Sequence, residues 1–185
     1  MKRHQTILQT ESTGLLIIDI QEQINAVMKY GEIVIANVVK LIKGFRVLKL
    51  PIFITEQYRK RLGPTEAKIL AELDQPDIVE KLTFSCCGSA QLMTRLQGKN
   101  IRQIILCGIE THVCVLQTAL DLLANDYQVH LVRDAVSSRK KMDHKTAIER
   151  MRQAGIIITT TESVLFELLV EAKTQVFKDI SQIVK

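Results

Sequence analysis

The chain has 185 residues, 46% of them apolar and 24% charged, with a net charge of +5. These are the proportions of an ordinary globular protein, and the length suits one domain, 1–185, with a core of its own. No apolar run approaches the ~18 residues that a membrane span requires, and the lysines and arginines are too dispersed to form a nucleic-acid patch.

Residues 14–18 (GLLII) read as a short buried strand that ends at Asp19. Residues 32–48 have helical periodicity through Ile35, Val38, Val39, Ile42 and Phe45. Pro51 opens a second strand, PIFIT, followed by polar loop chemistry as far as Pro64. Thr65 is placed to cap a helix over 66–73. Pro76 marks a break, and 77–79 form a short strand leading to Lys81. A helix over 88–96, a strand over 103–107 (QIILC) and a helix over 111–124 follow. A strand over 128–132, a helix over 143–154 and a last strand over 156–160 come next, then helical segments over 161–169 and 174–184. Strands separated by helices predict βαβ units: an α/β fold with a mostly parallel sheet covered on both faces. Ligands bind such sheets beyond the carboxyl ends of the strands. That rule draws attention to Asp19, to 55–57, to Lys81, to 108–114 and to Asp134.

The start, MKRHQTILQTEST, has basic residues but no apolar core and no small-residue cleavage site, so a cytoplasmic location is expected. There the four cysteines are expected as thiols rather than disulfides. Cys86 and Cys87 are adjacent, and His4, His112, His130 and His144 show no paired ligand spacing, so no zinc site is expected. With 4% aromatics and no Trp, there is no base-stacking platform for nucleic acid.

CGIETHVCV, 107–115, runs from a strand through one glycine into a helix and places Cys114 in the first turn. Unpaired N–H groups and the positive end of the helix favour a thiolate there, and the same turn can hold an oxyanion. From spacing alone, a buried structural cysteine is the commoner role. Asp19 is a general base or a helix cap on the same footing, and a lone Lys81 is ordinarily a surface residue.

Together these residues carry more. Asp after the first strand, Lys in mid-chain and Cys in a G-I-x-T-x-x-C-V turn resemble the isochorismatase-like cysteine hydrolases, which include nicotinamidases, N-carbamoylsarcosine amidases and isochorismatases. The blocks LLIIDIQE, KLTFSCCGS, ILCGIETHVCVLQTALDLL, VHLVRDAVSSR and RMRQAGIIITTTESVLFELL carry the resemblance over nearly the whole chain. TEQYRKRLGPT and FKDISQIVK resemble the isochorismatase-domain-containing branch.

The resemblance implies a three-layer α/β/α Rossmann-like fold whose six strands are ordered 3-2-1-4-5-6, in a homo-oligomer. It also implies a non-proline cis peptide at Ile109–Glu110. It makes Cys114 the nucleophile, Asp19 the base and Lys81 the partner of both, with backbone N–H groups of Glu110 and Cys114 holding the oxyanion. The substrate is then a small amide-like molecule cleaved at a C–N bond through a thioester, in a pocket drawing on Gln21, Gln57, Tyr58, Phe84 and Ile109. The loops at 21–30, 56–63 and 86–89 would set specificity. Metal-binding nicotinamidases carry histidines in the loop after the second strand, but TEQYRKRLG has none, so no metal and no other cofactor are expected. Isochorismatases proper lack the cysteine, which argues against isochorismate as substrate. Amidase members often carry Asp where this chain has His112, which is otherwise read as a solvent-facing helix residue. The alternative reading is a catalytically silent, oligomeric binding or scaffold member of the same family.

Overall fold

Parallel strands buried on both faces need apolar residues at successive positions, and the first strand run supplies six buried residues in a row, Thr13 to Ile18. In the computed structural model, which describes residues 3–185, this run is β1 (Thr13–Ile18). Met1 and Lys2, the start of the stretch read for a leader, lie outside the described residues. There follow α1 (Glu22–Asn25), α2 (Gly31–Val47), β2 (Ile52–Gln57), α3 (Arg59–Leu62), α4 (Ala67–Leu70), β3 (Ile78–Lys81) and α5 (Ala90–Gly98). Then come β4 (Gln103–Ile109), a wide turn over Thr111–Val115, α6 (Leu116–Ala124), β5 (Gln128–Ser137), α7 (Lys141–Gln153), β6 (Ile157–Thr159), α8 (Thr161–Leu169) and α9 (Gln175–Val184).

The sheet is ordered β3-β2-β1-β4-β5-β6, and every pairing is parallel. Strand alternation divides the core in two. Leu15, Ile17, Ile105 and Cys107 pack beneath α2, α8 and α9, whereas Leu16, Ile18, Ile104 and Leu106 pack against α5, α6 and α7. α2 shows why its layer holds: Val34, Ile35, Val38, Leu41, Ile42 and Phe45 recur at helical spacing, and all are buried. Burying each such side chain contributes about 1.5–3 kcal/mol.

Some boundaries differ from the sequence reading. β5 continues to Ser137 because the ladder shifts register between Leu106 and Gly108, after which Gly108 pairs with Val136 and Ile109 with Ser137. Asp134 therefore lies inside a strand and not in the crevice. Its Oδ1 accepts from the Thr161 N–H at 2.9 Å and fastens the start of α8. Thr65 does not cap a helix. Its hydroxyl and N–H both donate to Glu56 Oε1, at 2.8 and 2.7 Å, and α4 is a single turn. The helix foreseen over 111–124 begins as a π-type turn, in which the Val115 N–H reaches the Glu110 carbonyl at 3.3 Å.

Candidate active site

The carboxyl ends of β1 to β4 bring the site together. Gly108 makes the approach of β1 and β4 feasible: its φ is 132°, and a Cβ there would collide with the Ile18 carbonyl oxygen. Asp19, the first residue past β1, takes a left-handed φ of 51°, which Asp tolerates better than most residues. It caps no helix; its side chain turns into the site.

Lys81 Nζ donates to Asp19 Oδ2 at 2.6 Å, with both side chains 1% exposed. Thr55 donates its hydroxyl to the other oxygen, Oδ1, at 2.7 Å. The Cys114 thiol faces the same carboxylate, whose charge acts on it. Three residues far apart in sequence thus meet at one Asp side chain. Lys81 is not the surface residue that a lone lysine usually is. It ends β3, and its ammonium also donates to Gln57 Oε1 at 2.8 Å and to the Thr83 and Phe84 carbonyls, both at 3.2 Å. Burial alone would lower its pKa, but Asp19, Cys86 and Cys114 more than offset this and raise it above the ordinary lysine value.

Cys114 departs from the expected thiolate. Burial, then the Asp19 charge, push its thiol well up, and Lys81 opposes them only in part. At neutral pH it rests as a thiol beside a carboxylate. Its local sequence shows the helix start but not the depth of burial or the nearness of Asp19.

The sequence reading missed Cys86. It was assigned to a specificity loop, yet it is fully buried, with Sγ 3.6 Å from Thr55 Oγ1. Burial and then Asp19 push its thiol up to about 12. Cys107 is shielded inside β4, and burial alone drives its thiol up. Cys87 is half-buried and is raised to about 11, mainly by burial.

The remaining pocket residues divide. Tyr58 and Phe84 are 44% and 55% exposed and flank Lys81, with the Tyr58 N–H on the Lys81 carbonyl at 3.0 Å. Gln57 braces Lys81, as above, and donates to the Leu82 carbonyl at 2.8 Å. Gln21 lines no open space. It is fully buried, its amide donates to the Gln57 and Gly63 carbonyls at 3.1 and 2.6 Å, and its oxygen accepts from the Gln57 N–H at 2.7 Å. Ile109 is also corrected. It is buried in the core layer under α2, whereas Cys114 belongs to the opposite layer.

The Ile109–Glu110 peptide is cis. The buried Glu110 carboxylate accepts from the Arg139 N–H at 3.0 Å and from Arg139 Nε at 3.1 Å. Among the described residues, no acceptor takes the Glu110 N–H. His112 does not simply face solvent. Its Nδ1 is 3.0 Å from Ser138 Oγ, and its Nε2 is 3.8 Å from Asp143, tying the turn to the segment that enters α7. Among the described residues, no three His, Cys, Asp or Glu side chains are grouped to hold a metal ion. No helix there is long and apolar enough to cross a membrane.

Known proteins resemble this chain in sequence and fold. The Isochorismatase domain matches residues 13–163. Isochorismatase family protein 1A of Dictyostelium discoideum is 43% identical over 178 residues, covering 94% of this chain and 86% of its own length. A solved structure described as MAR1 ribonuclease from Caenorhabditis elegans is 36% identical, with a TM-score of 0.91 over 96% of this chain and 91% of that one. The Escherichia coli YcaC gene product, described as an octameric hydrolase of unknown specificity, is similar in fold at 20% identity and a TM-score of 0.90, covering 99% of this chain and 91% of that one.

Proposed function

The chain belongs to the isochorismatase family, and on that premise we propose that it is a cysteine hydrolase that cleaves a C–N bond of a small amide-like substrate through a thioester on Cys114. The observation that carries this reading is the Asp19 carboxylate shared by the Lys81 ammonium and the Cys114 thiol. Because burial keeps Cys114 protonated at rest, the nucleophile forms only as Asp19 takes its proton. Sγ then attacks the carbonyl carbon, and the Glu110 and Cys114 N–H groups hold the oxyanion, at about 3 kcal/mol per donor in comparable sites. Asp19 returns the proton to the leaving nitrogen as the C–N bond breaks. It next takes a proton from water, which attacks the thioester and releases the acid, and the proton goes back to Cys114. Lys81 stays charged throughout and balances the carboxylate's charge between these transfers. Exposed Tyr58, Leu82 and Phe84 at the rim suit the apolar part of a small molecule. Assembly into a homo-oligomer fits the exposed apolar side chains Val27, Tyr30, Ile33 and Met142.

A second reading, RNA cleavage, takes its support from the description of the 36% identical nematode structure. The site favours the first. Asp19, Lys81 and Cys114 are each no more than 5% exposed, so a small molecule reaches them more readily than a nucleic-acid strand. The test is to incubate the protein with a panel of amides and carbamoyl compounds, follow ammonia release, and look for a mass increment on the Cys114 peptide. Cys114→Ala should lose both signals while costing only about 1 kcal/mol of stability. Hydrolysis that persists in Cys114→Ala overturns the covalent mechanism. RNA breakdown that Cys114→Ala abolishes, with no amide turned over, selects the second reading.

A further inference from the structure

Cys86 is a buried thiol beside the site, and the covalent mechanism leaves it without a task. Its surroundings suggest one. Cys86, Thr55 and Thr118 are all fully buried, so water cannot stand in for any of their hydrogen bonds. The Thr118 hydroxyl oxygen accepts from the Cys86 N–H at 2.9 Å, and the Thr55 hydroxyl lies 3.6 Å from Cys86 Sγ.

The donor count gives the row a direction. Asp19 is an acceptor, so Thr55 must spend its one proton on Oδ1. The Thr55 oxygen then faces Cys86 as an acceptor. Cys86 is a neutral thiol and has a proton to give. The Thr118 hydroxyl oxygen, by accepting from the Cys86 N–H, holds the thiol's backbone in place. Cys86 and Thr55 each donate forward, and the row ends on Oδ1 of Asp19, whose other oxygen belongs to Lys81. Hydrogen bonds in such a row polarise one another.

We propose that Cys86 and Thr55, with Thr118 anchoring the Cys86 backbone, form a buried thiol–hydroxyl chain that aims a hydrogen bond at Oδ1 of Asp19, with Cys86 and Thr55 as positioning residues that set how readily this carboxylate takes a proton. The inference rests on the reading of Asp19 as the base for Cys114. The titratable groups that face Asp19 are Lys81 from β3, Cys86 from the segment after it, and Cys114 from the turn after β4. Lys81 stays charged across the useful range, so the pH response belongs to Asp19 and Cys114 as a coupled pair.

The experiment is alkylation of the full chain by iodoacetamide between pH 5 and pH 10, with the rate at each residue read by peptide mass spectrometry. Thr55→Val removes the hydroxyl at nearly constant shape and leaves the ionised carboxylate one donor short. The pair should then take up a proton at higher pH, and the acid limb of Cys114 labelling should move up by about one pH unit. Thr55→Ser should restore the parent profile, and Cys86→Ala should shift it the same way by less. A merely structural role would change the labelling rate without moving the limb. Parent-like limbs in both Thr55→Val and Cys86→Ala overturn the chain, and Cys86→Ala decides alone should Thr55→Val not fold. If Cys114 in the parent labels no faster than Cys87, the reading of Cys114 as nucleophile falls instead.

Discussion

The two ends of the same strands hold two buried polar clusters of opposite character. At the carboxyl ends, a charged carboxylate and ammonium lie among two thiols and a hydroxyl. At the amino ends, the first residues of β1, β4 and β5, Thr13, Gln103 and Gln128, stand side by side in register. These neutral groups bind one another and the segment before β1. Gln103 Oε1 accepts from the Gln9 N–H at 2.7 Å and from Thr13 at 3.0 Å, while its Nε2 donates to Ile7 at 3.1 Å and to Gln128 at 2.6 Å. Gln128 in turn donates to the Gln5 carbonyl at 3.1 Å. A neutral, mutually satisfied cluster fastens the chain, whereas the charged one sets a carboxylate and an ammonium beside two thiols. Burial raises the stakes of both, because an unpaired group in either has no water to turn to.

The largest effect should come from dividing the ion pair. Lys81→Met keeps the chain length but strands Asp19 as a buried, uncompensated charge, which costs about 3–5 kcal/mol. Urea unfolding should show that loss, and adding Asp19→Asn should recover most of it. A loss below about 1 kcal/mol would mean that Asp19 is reached by water and the pair is not sealed.

A smaller effect tests the amino-terminal end by pH. His130 is fully buried beside Gln128, with Nε2 3.1 Å from Gln128 Oε1, and burial lowers its pKa from the ordinary 6.5 to about 4. A histidine depressed in the folded state binds more protons when unfolded. Its contribution is therefore whole above pH 6.5 and is lost as the pH falls toward 4. Between pH 7 and pH 5 the loss is about 2 kcal/mol. His130→Asn should flatten the stability profile in that window; an unchanged slope would assign the acid response to other groups.

The smallest effect should separate the clusters most cleanly. Gln103→Leu leaves the Gln9 N–H without its partner and takes one of several from Gln128, at a cost of about 1.5 kcal/mol. It should nevertheless leave the pH profile of Cys114 alkylation where it was. A shifted profile would show that the two ends of the sheet are coupled through β4.

The elements were legible in the amino-acid order because period 2 and period 3.6 are local properties. GLLII at 14–18, the stripe from Ile35 to Phe45 and the strand before Cys114 all stand where their spacing places them. That Asp19, Lys81 and Cys114 lie near one another was legible too, through the resemblance that G-I-x-T-x-x-C-V carries. Ile109 and Gln21 were misplaced because neighbourhood in sequence does not say which face of the sheet a side chain meets or whether its amide is already spent. The length of β5 was hidden as well, because it depends on a register shift in its partner strand.

What the order of residues decided, then, was the alternation of strands and helices and which side chains stand at the strand ends. Tertiary structure alone decided that Cys114 rests as a thiol, that Thr55 and Cys86 stand behind Asp19, and that Glu110 is tied to Arg139. The physical reason is range. Backbone periodicity is set by neighbours a few positions away, whereas a proton's affinity depends on charges and burial within a few ångströms, supplied here by four different strand ends.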